Sequence, residues 1–107
     1  MKSIVVFFAA AAAVLAQSGN ADNGKRIFMR DGCYQCHGTL GQGGVGPRLS
    51  APALALPTLS AIVRKGIRGM PPYSAKILSD AELADIHAYL ETVPAPPPAK
   101  NIPLLNQ

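Results

Sequence analysis

Apolar residues return at helical intervals in three places along this chain, and nowhere after the N-terminal stretch does the pattern alternate as a strand would. Ile27 and Phe28 are the apolar pair of the first place. Asp22 or Asn23 can cap a helix there, it should run to about Arg30, and Gly32 ends it. Leu59, Ile62 and Val63 fall at i, i+3 and i+4, so a short helix is expected from Thr58 to Lys65, stopped by Gly66. Leu83, Ile86, Leu90 and Val93 make the apolar face of a last helix. Ser79-Asp80-Ala81-Glu82 reads as its capping box and Pro94 as its end.

Between the first and second helices, residues 38–57 carry Gly38, Gly41, Gly43, Gly44, Gly46, Pro47, Pro52 and Pro57. So much glycine and proline excludes regular structure and indicates a loop wrapped around something. Loops of this length without secondary structure tend to be functional. Residues 94–107 hold Pro94, Pro96, Pro97, Pro98 and Pro103, and an extended polyproline tail outside the core is expected. The tail is either free or a docking strap, on a partner or back on the domain.

The N-terminus has a different character. Lys2 precedes an apolar run from Ile4 to Ala16, the form of a secretory signal peptide. Cleavage after Ala16 or after Ala21 fits the small residues there; an uncleaved anchor is the alternative. The expected organisation is a signal peptide over 1–21, one small domain over 22–93 and the tail over 94–107. The formal charge of +4 includes Lys2. The exported part is only mildly basic and gives no reason to expect a nucleic-acid partner. Membrane contact would come through a partner or an uncleaved leader. Arg64, Lys65 and Arg68 form a cationic group before Met70, either a solvated face or a rim that steers an acidic partner.

The candidate chemistry lies in Cys33-Tyr34-Gln35-Cys36-His37. C-x-x-C-H is the spacing of a covalent haem c attachment site. Two thiols can add across the vinyl groups of one porphyrin, and the next histidine can reach the iron from the same side. A disulfide, half a zinc site and a thioredoxin-type pair are the alternatives for this spacing. The zinc reading lacks a second cysteine pair, and the thioredoxin reading lacks a βαβ pattern. A chain this small has a marginal core, and a buried haem would act as its staple.

With His37 on one side of the iron, Met29, Met70 and His87 are the candidates for the other. Met29 lies too close before Cys33 and is expected to pack. His87 sits at the margin of the last helix's apolar face. Met70 is 33 residues beyond His37, and Pro71 and Pro72 stiffen the chain after it. A His37/Met70 pair would fill both axial positions and raise the potential relative to bis-histidine ligation.

These residues resemble the class I c-type cytochromes, small monohaem proteins of bacterial periplasms and mitochondria. The resemblance rests on Cys33, Cys36 and His37, on Met70 before proline, on Gly24 and Phe28, and on Leu83, Tyr89 and Leu90. It implies an all-α cytochrome c fold, three to four short helices around one covalently bound haem c. It implies that Gly24 lets the first and last helices cross closely, with Phe28 against Tyr89. Gly46-Pro47-Arg48-Leu49 is similar to a segment in which a proline carbonyl accepts a hydrogen bond from the proximal histidine, a role that falls here to Pro47. Arg48 could meet a haem propionate. The chain departs from many relatives in lacking tryptophan.

The expected function is therefore electron transfer, not enzymic turnover, in a periplasmic or otherwise exported carrier or cytochrome subunit. Its partner would be a dehydrogenase, oxidase or reductase. The alternatives are a haem enzyme or gas sensor with an open or labile sixth site, and a haem-free thiol protein.

Overall fold

The structure, a computed structural model, describes residues 19–107. The apolar leader and the Ala16 cleavage candidate lie outside the described residues. Four helices follow in order: α1 Ala21–Arg30, α2 Cys33–His37, α3 Leu56–Lys65 and α4 Asp80–Thr92. Among the described residues there is no strand, and no helix is long and apolar enough to cross a membrane.

The first helix starts earlier than the sequence suggests. Asn20, not Asp22 or Asn23, is its N-cap, and the Asn20 side chain accepts the Asn23 N–H. Asn20 is itself held by a distant partner: its N–H donates to Asp85 Oδ1 on α4 at 2.7 Å. Asp22 then lies in the first turn, where a negative charge suits the helix dipole.

α1 and α4 cross at Gly24, which is buried. A Cβ there would run into the Asp85 carbonyl. The close approach brings Phe28 edge-on to Tyr89, with ring centroids 5.7 Å apart and planes at 63°. Ile27, Phe28, Leu83, Ile86, Tyr89 and Leu90 are buried at this crossing. Each such aliphatic or Phe side chain contributes roughly 1.5–3 kcal/mol when taken out of water. The α4 capping box forms as expected: Glu82 N–H donates to Ser79 Oγ, and Ser79 N–H to Glu82 Oε2.

α3 begins at Leu56, two residues before the expected start, because Pro57 sits in its first turn. Proline is tolerated there, where its missing N–H has no helical acceptor to lose. Leu59 and Val63 bury one face of α3, and Gly66 closes the helix with φ 70°. Leu78, just before α4, completes the core at 1% exposure.

The C-terminal tail differs from an extended polyproline. After residues 94–98 the chain makes two 3-10 turns, Ala99–Asn101 and Pro103–Leu105. The Asn106 amide donates toward the carbonyls of Ala99, Lys100 and Ile102, which favours compact turns over an open strand. Among the helical elements these turns touch only each other, and Pro94 at the start of the tail accepts a bond from Arg48 in the loop. Leu104 and Leu105 are exposed.

Candidate functional site

α2 is one five-residue turn bounded by two glycines of positive φ. Gly32 (φ 78°) turns the chain out of α1, and Gly38 (φ 81°) turns it into the long loop. That loop is folded onto the turn by backbone bonds: Gly43 N–H to His37 O and Gly46 N–H to Cys36 O, both 2.8 Å. Tyr89 Oη donates to the Thr39 carbonyl at 2.7 Å, fixing the loop start to α4. The Gly/Pro segment is thus an ordered wrap, as its composition implies.

His37 is buried, and its Nδ1 is 2.7 Å from the Pro47 carbonyl oxygen. A carbonyl can only accept, so Nδ1 carries a proton, and in the neutral ring Nε2 then holds the lone pair. A bond of this kind fixes the ring of a metal-ligating histidine and its tautomer. Gly46 leaves room for the ring, since a Cβ there would lie 2.7 Å from His37 Cε1.

Cys36, His37, Pro47 and Met70 line one cavity of about 570 Å³, with Leu49, Leu54, Leu59, Ile62, Val63, Ile67 and Tyr73 among its other walls. Met70 is held in a short strap after α3. Met70 N–H donates to Ile67 O at 2.8 Å, and Tyr73 N–H to Val63 O at 2.9 Å. Gly66 allows the return, because a Cβ there would be 2.7 Å from the Met70 carbonyl oxygen. Arg64 ties the far end: Nη1 donates to the carbonyls of Tyr73 and Leu78, and Nη2 pairs with Asp80 at 2.6 Å. Arg64 therefore braces the strap. Of the cationic group, Lys65 and Arg68 are the exposed members.

The other ligand candidates lie elsewhere. Met29 is on α1 and does not line the cavity. His87 Nε2 bonds the Leu54 carbonyl at 2.8 Å and is 3.6 Å from Glu91, also outside the cavity. Arg48, between the wall residues Pro47 and Leu49, donates to the Pro94 carbonyl at 3.3 Å.

The two cysteines differ in setting. Cys36 is exposed beside the cavity, and Cys33 packs against the core margin. Burial, with the nearby Asp31 carboxylate, pushes the Cys33 thiol up to about 11. A thiol-exchange protein needs the opposite shift. Among the described residues no group of three His, Cys, Asp or Glu side chains could hold a metal ion, so the half-zinc reading gains no partners.

The residues fit a haem: an apolar slot, two unbridged thiols one helical turn apart, a histidine oriented from behind, and a methionine on the same cavity. Sequence reasoning missed three supports of this site, Arg64 as a brace, Tyr73 and Leu78. Tyr73 Oη donates to the Asp31 carbonyl at 2.9 Å, joining the Met70 strap to the end of α1. Only its place in the Met-Pro-Pro-Tyr run hinted at this.

Fold and site together define a small c-type haem protein. The chain matches, over residues 19–90, the family described as cytochrome c oxidase, cbb3-type, subunit III. It is 34% identical over 87 residues to the 4-cresol dehydrogenase (hydroxylating) cytochrome c subunit of Pseudomonas putida, covering 78% of this chain and 74% of that protein. It is 35% identical over 81 residues to a cytochrome c-553-like protein of Synechocystis sp. (strain ATCC 27184 / PCC 6803 / Kazusa), covering 75% of each. No solved structure matches at a significant level. The chain belongs to this cytochrome c family. Its cofactor is covalently bound haem c, and its function is haem-based electron transfer.

Proposed function

We propose that Cys33 and Cys36 carry the haem thioethers and that His37 and Met70 are the axial ligands of a closed, six-coordinate electron carrier. The observation that carries this reading is the shared cavity of His37 and Met70, with His37 Nδ1 committed to Pro47. Haem, when bound, supplies the one-electron couple. The chain orients the His37 ring through Pro47, presents Met70 from a strap braced by Arg64, and excludes water with Leu49, Leu59 and Val63. With His37 and Met70 both holding the iron, no position would be left for oxygen or peroxide, which favours a carrier over an enzyme.

The partner is a redox protein, and the exported, periplasmic setting follows from the leader-like N-terminus. Among carrier roles, the cytochrome subunit of a dehydrogenase system is the one that the cresol dehydrogenase cytochrome subunit supports; a soluble shuttle to an oxidase or reductase is the other. The docking edge is the cavity mouth. Val45 there is 94% exposed and Ile67 46%, an apolar contact flanked by exposed Lys65 and Arg68 that suits a partner with carboxylates.

The test is the visible spectrum of the ferrous protein from a haem-maturation host, before and after carbon monoxide. Sharp low-spin bands that ignore the gas are expected. An immediate shift would overturn the Met70 assignment in favour of an open or labile sixth site. A Met70→Ala variant should become gas-reactive.

A further inference from the structure

Two cleavage positions fit the N-terminal sequence, and the fold separates them. The segment just before Asp22 is part of the domain. Gly19 lies against α4 so closely that a Cβ would run into the Ala84 carbonyl. The next residue donates its N–H to Asp85 Oδ1 at 2.7 Å, while Asn23 Nδ2 donates to Asp85 Oδ2, also at 2.7 Å. The Asp85 carboxylate is thus gripped on one oxygen from this segment and on the other from Asn23 in α1. Asn20 also caps α1 through its side chain, and its carbonyl receives the Gly24 N–H at 2.8 Å.

Cleavage after Ala21 would delete all of these except the Asn23 Nδ2 bond to Asp85. It would free one oxygen of Asp85 and strip the cap from α1. It would also leave an α-ammonium at the positive end of the helix dipole, the unfavourable sign. Loss of an N-cap asparagine alone destabilises a helix. The loss would fall on the α1–α4 crossing, the main packing of a domain with little core to spare.

We infer that the leader is removed by hydrolysis of the Ala16–Gln17 bond, so that Gly19 and Asn20 stay in the mature protein as a clamp on Asp85. Water supplies the new carboxylate on Ala16 and the new amine on Gln17. An N-terminal glutamine can then cyclise, its amine displacing ammonia from its own side-chain amide. The inference rests on the export reading of the N-terminus.

The test is intact mass and N-terminal peptide mapping of the holoprotein recovered from the periplasm of a maturation-competent host. A start at Gln17, free or cyclised, is expected. A start at Asp22 or at any other exported position overturns the inference and leaves the export reading intact. A start at Met1 overturns the inference and the cleaved-leader reading together. The mass of attached haem in the same sample reports on the carrier assignment separately. A second measurement compares holoproteins engineered to begin at Gln17 and at Asp22. The shorter should melt several degrees lower, and equal melting temperatures would also overturn the clamp.

Discussion

His37 Nδ1 lies 2.7 Å from the Pro47 carbonyl oxygen, and the residue between loop and ring, Gly46, has no side chain to spoil that distance. The bond chooses the tautomer: with the proton on Nδ1, the cavity-facing chemistry is left to Nε2. Neither residue could do this alone. Pro47 is brought there by the Gly46 N–H bond to Cys36 O, so the haem motif holds the loop that orients its own histidine.

Gly46→Ala tests this arrangement. The new Cβ would stand 2.7 Å from His37 Cε1 and 2.9 Å from Nδ1, tighter than ordinary contact. Ring or loop must shift, at a cost of about 1–3 kcal/mol for overpacking of this kind. The expected outcome is a lower melting temperature together with a displaced reduction potential. Both are read on the holoprotein by thermal melting and voltammetry. A stability loss with an unmoved potential would mean that the loop yields and the ring stays.

Gly24→Ala addresses the helix crossing instead of the iron. A Cβ at this position meets the Asp85 carbonyl on α4, backbone against backbone, so no side chain can turn away. Destabilisation of about 1–3 kcal/mol is expected. For a domain of 60–100 residues this lowers the melting temperature by about 4–8 °C per kcal/mol. Because Gly24 does not line the cavity, the reduction potential should stay near that of the parent. Equal changes in both would show that the crossing tunes the iron.

How much of this was legible in the sequence follows from the range of each interaction. The α4 box from Ser79 to Glu82 and the glycine stop after Lys65 are local, and both stand where pattern placed them. The C-x-x-C-H turn is local too. The start of α1 is not legible locally, because Asn20 becomes the cap through Asp85, 65 residues away, and no window on the sequence contains both. Arg64 reads in the sequence as part of a charged rim because its three acceptors, Tyr73 O, Leu78 O and Asp80, are unified only by the returning strap. The tail's proline content implied an extended chain, whereas Asn106 gathers three carbonyls and folds its end into turns.

Without haem the domain should not hold together. The cavity of about 570 Å³ is walled by Leu49, Leu59, Val63 and Ile67, and a structure that left it filled by water would keep that apolar surface wet. A domain this small has little other burial to offset chain entropy. A Cys33→Ala, Cys36→Ala variant is expected to show largely lost helical signal in far-UV circular dichroism. A native-like spectrum from that variant would refute the staple role of the cofactor.

Glu82 gives the pH dependence a definite sign. Its carboxylate accepts from Arg30 Nη1 at 3.3 Å and Nη2 at 3.1 Å, and from the Ser79 N–H at 3.3 Å. The Arg30 bond, foremost, holds its carboxyl below the ordinary carboxylate range, with burial opposing and the Ser79 N–H assisting. A group whose folded value is depressed favours the folded state above its unfolded value, and that contribution fades as pH falls through the folded value. Glu82→Gln keeps the shape of the capping box and removes the charge. The variant should melt below the parent at neutral pH, modestly because the site is open to solvent. The gap should close under acid conditions where the parent Glu82 is protonated. Melting curves of the two holoproteins across that range check the sign. A gap that persists in acid would assign the loss to box geometry and not to the Arg30 pairing.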